Sequence, residues 1–281
     1  MNVRLLTDST SDLTAEEAER YGITIVPLTV FFGDEAFLDN IELDNAAFYR
    51  KLQASKALPR TSQPAPAKFQ EAYIRLLDEG AEGILSVHLS SKLSGTYQSA
   101  HTAADSVADE GKNIPIEVID SGSISVGMSR AIIHAAEAAK QGADLATLTA
   151  MVNDELSRTR ILAVLDTLEY VRRGGRIGSA AALLGNALSV KPIISLKNGE
   201  VVTIERPRTR SKAFARIAQM VAEMGNVESI SIAEADTEVG QQLKQAMKEV
   251  YPKEIPTYKL GGVLGTHTGP GTAAIALVTG K

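Results

Sequence analysis

Serine and threonine gather at four points of the chain: Thr7 to Ser11 (TDSTS), Thr61 and Ser62 (TSQP), Ser90 to Thr96 (SSKLSGT) and Ser121 to Ser125 (SGSIS). Each cluster falls just after an apolar run or just before a helical pattern. The first N–H groups of a helix have no partner within it and carry partial positive charge, so hydroxyls placed there complete a site for an anion. The same residue types are also the preferred N-caps, and for any one turn capping is the simpler use. Ser94 leans toward binding, because Gly95 lets the backbone approach a ligand and Leu93 leaves the turn partly apolar.

Other polar residues offer rival chemistries. His267 lies in GTHTGPGT, where Gly265, Gly269 and Gly271 describe either a loop whose backbone approaches something closely or a solvated connector. His88 falls in a strand pattern, and His101 and His134 fall on helical ones, positions that suit packing or surface. Histidines so dispersed, in a chain without cysteine, do not form a zinc site, and neither a metal nor a cofactor is expected. Asp8, Asp12 and Asp120 end strands or open turns, where they cap, hold magnesium or act as acid and base. In VRRGGRIG, Arg172, Arg173 and Arg176 surround a glycine pair that stops a helix or docks an acidic partner.

Several classes are set aside by what is missing. There is no Walker loop and no G-x-G-x-x-G after a strand, so phosphate-rich cofactors fall in rank. The stretch LSGTY lacks the G-x-S-x-G elbow of an activated serine. A serine hydrolase using Ser94 with His267, and a magnesium-dependent phosphate-ester enzyme using the aspartates, stay as alternatives. Since no nucleophile or base has an evident partner, the chain reads as a carrier rather than an enzyme.

The elements that must position these residues follow an alternating pattern. VRLLTD reads as a strand and TAEEAERYG as a helix, with Thr14 and Glu17 at capping-box spacing and Gly22 as its stop. ITIVPLTVFF is the next apolar run, and Asp44 caps a short helix through Leu52. Pro64 and Pro66 mark the entry to a helix with Phe69, Ala72, Tyr73 and Leu76 on one face. GILSVHLS is a buried strand, Ala100, Ala103, Ala104 and Val107 repeat the helical spacing, and IEVIDS precedes a long helix through Ile132 and His134. This alternation predicts a doubly wound parallel α/β lobe. After a helix with Leu145, Leu148 and Val152, Asn198-Gly199 between β-rich arms signals a hairpin. Helices at Phe214 to Met224 and Val239 to Val250, with strands SISIAEAD and AAIALV, give the second lobe an α+β character. The expected division is 1–158 and 159–281, with a ligand between the lobes.

At 281 residues two domains are the ordinary expectation, and 44% hydrophobic with 22% charged residues is a globular composition. Net charge is −5, and no basic run interleaved with aromatics suggests nucleic acid. No signal-peptide core and no apolar span of bilayer length is visible, and cysteine is absent, so a soluble, cytoplasmic protein is expected.

DSTSDL, TSQP, SSKLSGTYQSA, RRGGRI and GTHTGPGT, in this order across nearly the whole chain, resemble the motifs of the DegV family. The resemblance implies a bacterial, two-lobed α/β protein that binds a long-chain fatty acid with its acyl chain buried. It also implies a partner kinase that converts the presented carboxylate to acyl phosphate for phospholipid synthesis, a role compatible with transient membrane contact. By motif, Thr61, Ser62, Ser94 and His267 become the expected carboxylate contacts, and Arg173 the kinase-docking residue. Lys92 stands where many members carry a small residue and adds a charge beside the binding turn. The physics fits: each buried methylene contributes about 0.8 kcal/mol. The head group needs several donors, which hydroxyls, helix N–H groups and a protonatable imidazole can provide.

Overall fold

The computed structural model of the chain describes residues 1–111, 114–178 and 190–280. From the N-terminus, β1 (Val3–Asp8) ends in a single 3-10 turn over Ser9–Ser11 and is followed by α1 (Ala15–Tyr21) and β2 (Ile23–Val26). The expected capping box is present, with Thr14 Oγ1 accepting from the Glu17 amide at 3.1 Å and the Thr14 amide donating to Glu17 at 3.0 Å. Next come β3 (Thr29–Phe32), β4 (Glu35–Leu38), α2 (Asn45–Ala54) and β5 (Arg60–Ser62). Then α3 (Pro66–Asp78), β6 (Gly83–His88), α4 (Thr96–Asp109), β7 (Ile116–Asp120), α5 (Val126–Lys140) and α6 (Leu145–Arg158) complete the alternating part.

Two compact units result: Met1–Thr29 with Thr61–Ser157, and Val30–Arg60 with Arg158–Lys281. The first is built on a parallel sheet of order β2-β1-β6-β7. Side chains alternate across it as strand geometry requires. Leu5, Leu85 and Val87 face Met128, Ile132 and Leu148 of α5 and α6, whereas Leu6 and Ile84 face Phe69, Tyr73 and Leu76 of α3 and Ala100 of α4. Helices therefore cover both faces, the doubly wound arrangement the alternation predicts. Each fully buried Leu or Phe in these layers contributes roughly 1.5–3 kcal/mol. The chain leaves β1 for β2 on one side and later places β6 on the other, so the switch point lies between β1 and β6.

The second unit continues with β8 (Thr159–Val164), α7 (Glu169–Arg173), β9 (Ile193–Lys197), β10 (Glu200–Glu205), α8 (Arg210–Met224) and β11 (Val227–Glu234). It closes with α9 (Thr237–Met247), β12 (Thr257–Lys259), α10 (Gly262–Thr268) and β13 (Ala273–Thr279). Its sheet has the order β10-β9-β8-β13-β11-β12 and mixes antiparallel with parallel pairs. The β9–β10 hairpin turns at Asn198 and Gly199, with φ of 52° and 79°. Positive φ at both central residues is what a two-residue hairpin turn demands.

Residues 30–60 differ from the sequence reading, which keeps them in the N-terminal lobe. ITIVPLTVFF breaks at Pro27-Leu28 into β2 and β3, which belong to different sheets. The segment is fastened to the second unit by Asp39, whose Oδ1 accepts the Gly262 amide at 2.8 Å, and by Asn45, which donates to the Leu260 carbonyl. Phe48 packs so closely on α10 that a Cβ at Gly265 would lie 2.5 Å from its ring. Such pairings join residues more than 200 positions apart, and no local pattern announces them.

Candidate functional site

The hydroxyl clusters of the first unit lie at the carboxyl ends of its strands, the side of an open α/β sheet where ligands bind at the switch point. After β1, Asp8 accepts the Thr10 amide at 3.0 Å, Ser9 Oγ accepts the Leu28 amide at 3.1 Å, and Asp12 turns into the left-handed region at φ 55°. Ser11 is fully buried, and its hydroxyl has no hydrogen-bond partner among the described residues. After β6, Ser94 sits just ahead of α4. Its Oγ lies 2.9 Å from Thr96 Oγ1 and accepts the Thr96 amide at 3.3 Å, so it is half-buried and already oriented at a helix N-terminus. After β7, Ser125 adopts φ 53° and ψ −142°, a region that costs a non-glycine residue energy. Its amide donates to the Thr10 carbonyl at 2.8 Å, and its hydroxyl donates to Asp12.

These turns are stitched together. The Ser90 amide donates to the Ser123 carbonyl at 2.8 Å, and the Ser91 amide to Asp120 Oδ1 at 3.1 Å. TSQP joins them through Gln63, whose side-chain amide lies over Gly95, 2.5 Å from where a Cβ would stand. Thr61 is half-buried on β5, and Ser62 beside it is exposed. The Lys92 side chain is exposed, and its amide donates to Ser90 Oγ at 3.2 Å. The three aspartates singled out in the sequence act as turn-holding acceptors, Asp8 and Asp12 as above and Asp120 through Ser91 and the Gly122 amide at 2.9 Å. Among the described residues no cluster of histidine and acidic side chains is arranged to hold a metal ion, and no helix is long and apolar enough to cross a membrane.

In the second unit His267 is not on an open loop but in the last turn of α10. It lies against the arginine knot: a Cβ at Gly174 would fall 2.2 Å from His267 Nδ1, which explains the first glycine of RRGG. Gly269, at φ 80°, ends the helix. Burial, with a smaller contribution from Arg176, pushes the His267 imidazole down to about 4. At neutral pH it is therefore an uncharged hydrogen-bonding group, not the cation a protonatable imidazole would supply. Arg172 and Arg173 both lie on Glu169, and the Arg173 side chain is 58% exposed. Ser94 and His267, the paired residues of the hydrolase alternative, belong to different compact units.

A separate cleft of about 270 Å³ in the second unit is lined by Tyr49, Gln53, Arg210, Asp236 and Glu238. Its polar wall does not suit an acyl chain, and none of the expected carboxylate contacts lines it. What the sequence reading missed is the buried polar face of β6. Ser86 and His88, two apart in an otherwise apolar strand, lie on one side of the sheet beside Asp8. The signal was the polar alternation inside GILSVHLS.

A family model described as uncharacterised proteins of the DegV family matches residues 2–280. A DegV domain-containing protein of Streptomyces coelicolor is 36% identical over 281 residues, covering 98% of both chains. Among solved structures, a DegV family protein from Thermus thermophilus described by its fatty acid binding superposes with a TM-score of 0.89 at 32% identity, covering 99% of this chain and 100% of that one. DegV of Bacillus subtilis, described as a fatty acid binding protein, gives a TM-score of 0.88 at 30% identity, with both chains covered in full.

Proposed function

Because the chain belongs to the DegV family, we propose that it binds a long-chain fatty acid, buries the acyl chain and holds the carboxylate with Thr61, Ser62, Ser94 and His267. The observation that carries this reading is the set of interlinked hydroxyl turns at the carboxyl ends of β1, β6 and β7, in a chain that matches solved fatty-acid-binding relatives over its full length. A carboxylate taken from water needs several donors. Ser94 and Thr61 are half-buried hydroxyls, the start of α4 adds partial positive charge, and the neutral His267 imidazole adds a donor without the cost of a buried cation.

In this role the protein is a carrier. It presents the carboxylate to a separate kinase that forms acyl phosphate for phospholipid synthesis, with Arg173 on the exposed end of α7 as the docking residue. Native mass spectrometry and solvent extraction of the protein as purified test the ligand class. A copurified fatty acid, displaceable by added oleate, is expected. A covalent serine adduct with a fluorophosphonate, or magnesium-dependent phosphatase activity, with no lipid recovered, overturns it.

A further inference from the structure

Behind the hydroxyl turns lies a chain of polar side chains that touches no surface. Asp8, Ser86, His88 and Tyr73 are each 0% exposed. His88 Nδ1 is 3.0 Å from Asp8 Oδ2, His88 Nε2 is 2.7 Å from Ser86 Oγ, and the Tyr73 hydroxyl donates to Ser86 Oγ at 2.9 Å. Asp8 already accepts from the Thr10 amide and hydroxyl and from the Leu89 amide at 3.1 Å, so the ring donates to it from Nδ1. Phe69 meets the ring edge-on, 5.0 Å between centroids, and fixes its plane. Burial raises the Tyr73 hydroxyl well above its ordinary range, which keeps it a donor.

The order Asp, His, Ser invites comparison with a catalytic triad, but the geometry is the reverse of one. The serine is sealed within the α3 and α4 layer and no substrate can reach it. What the chain of bonds does reach is the backbone of three turns. Asp8 ties the Thr10 amide of the turn after β1 to the Leu89 amide that opens the turn after β6. The His88 carbonyl accepts the Ser121 amide of the turn after β7 at 3.0 Å. From Leu89 the restraint passes to Ser90, whose carbonyl accepts the Ser94 amide at 3.2 Å. The Asp8–His88 contact thus bridges β1 and β6 at the switch point itself.

We infer that His88 is a positioning residue: through Asp8 and Ser86 it sets the register of the hydroxyl turns against one another and so determines how well Ser94 receives an anionic head group. This deepens the fatty-acid reading and rests on it. In a buried network a half-satisfied member is worse than an apolar one.

Two amide substitutions separate positioning from packing. The side-chain nitrogen of Asn occupies roughly the place of Nδ1 and that of Gln the place of Nε2. His88→Asn therefore keeps the donor to Asp8, and His88→Gln loses it. In titrations with the fluorescent fatty acid cis-parinaric acid, His88→Asn should bind within about twofold of the wild type, and His88→Gln should be weaker by about tenfold or more. Amide hydrogen exchange at Thr10 and Leu89 should quicken in His88→Gln alone. Ser86→Ala, a milder change behind the ring, should weaken binding by a few-fold without touching any turn. Equal affinity in all variants, or losses that simply follow each variant's melting temperature, overturns the positioning role. If the wild type does not bind the probe, the fatty-acid reading is what fails, and exchange at Thr10 and Leu89 decides the relay: unchanged protection in His88→Gln overturns it.

Discussion

Ser94 combines two duties, since its hydroxyl orients the first turn of α4 through Thr96 and stays half-buried rather than sealed. Removing it deletes a donor from the proposed carboxylate site and leaves the hydrophobic layers intact. Ser94→Ala should therefore weaken fatty-acid binding by about 1 to 3 kcal/mol with the fold retained. Calorimetric titration that returns wild-type affinity would reject its role. At this scale the sequence was informative about residue type and poor about company. TDSTS and SGSIS are visible as hydroxyl turns, but the donation of Ser125 to Asp12 joins residues 113 positions apart. The same is true of His88 and Asp8, 80 positions apart, each of which read singly as packing or capping.

Periodicity located α1, α3, α4 and α5 because each carries a long apolar stripe or a recognisable cap. It did not reveal α10, a seven-residue helix whose glycines read as loop. Those glycines are there because Phe48 and Tyr49 pack where side chains would stand, a tertiary demand that overrides helix propensity. In α7 the sequence reading and the structure agree on a helix stopped by glycine. Its two arginines share Glu169 at an exposed site, and such a pair is screened by water and costs little to exchange for an acidic partner. Arg173→Ala should accordingly spare fatty-acid affinity and lower turnover by the kinase. Equal losses in paired binding and kinase assays would contradict a docking role.

For the molecule as a whole, His267 makes stability depend on acid. Its folded-state value near 4 lies below the ordinary 6.5. Between those values the unfolded chain takes up a proton that the folded chain refuses, so stability falls as pH drops from about 6.5 toward 4. His267→Asn should flatten that decline in melting temperature, and an unchanged slope would show that other groups control it. The sequence by itself determined the alternation of strands and helices, the caps, the hairpin at Asn198-Gly199 and the motif order of the DegV family, because these are written in neighbouring residues. Only the tertiary structure decided that residues 30–60 join the second unit, that Gly174 makes room for His267 and that Asp8 meets His88 across two strands. These pairings bring together residues far apart in the chain, and what selects them is close packing together with hydrogen bonding of groups such as Asp8 and His88, a condition met only once the layers have closed.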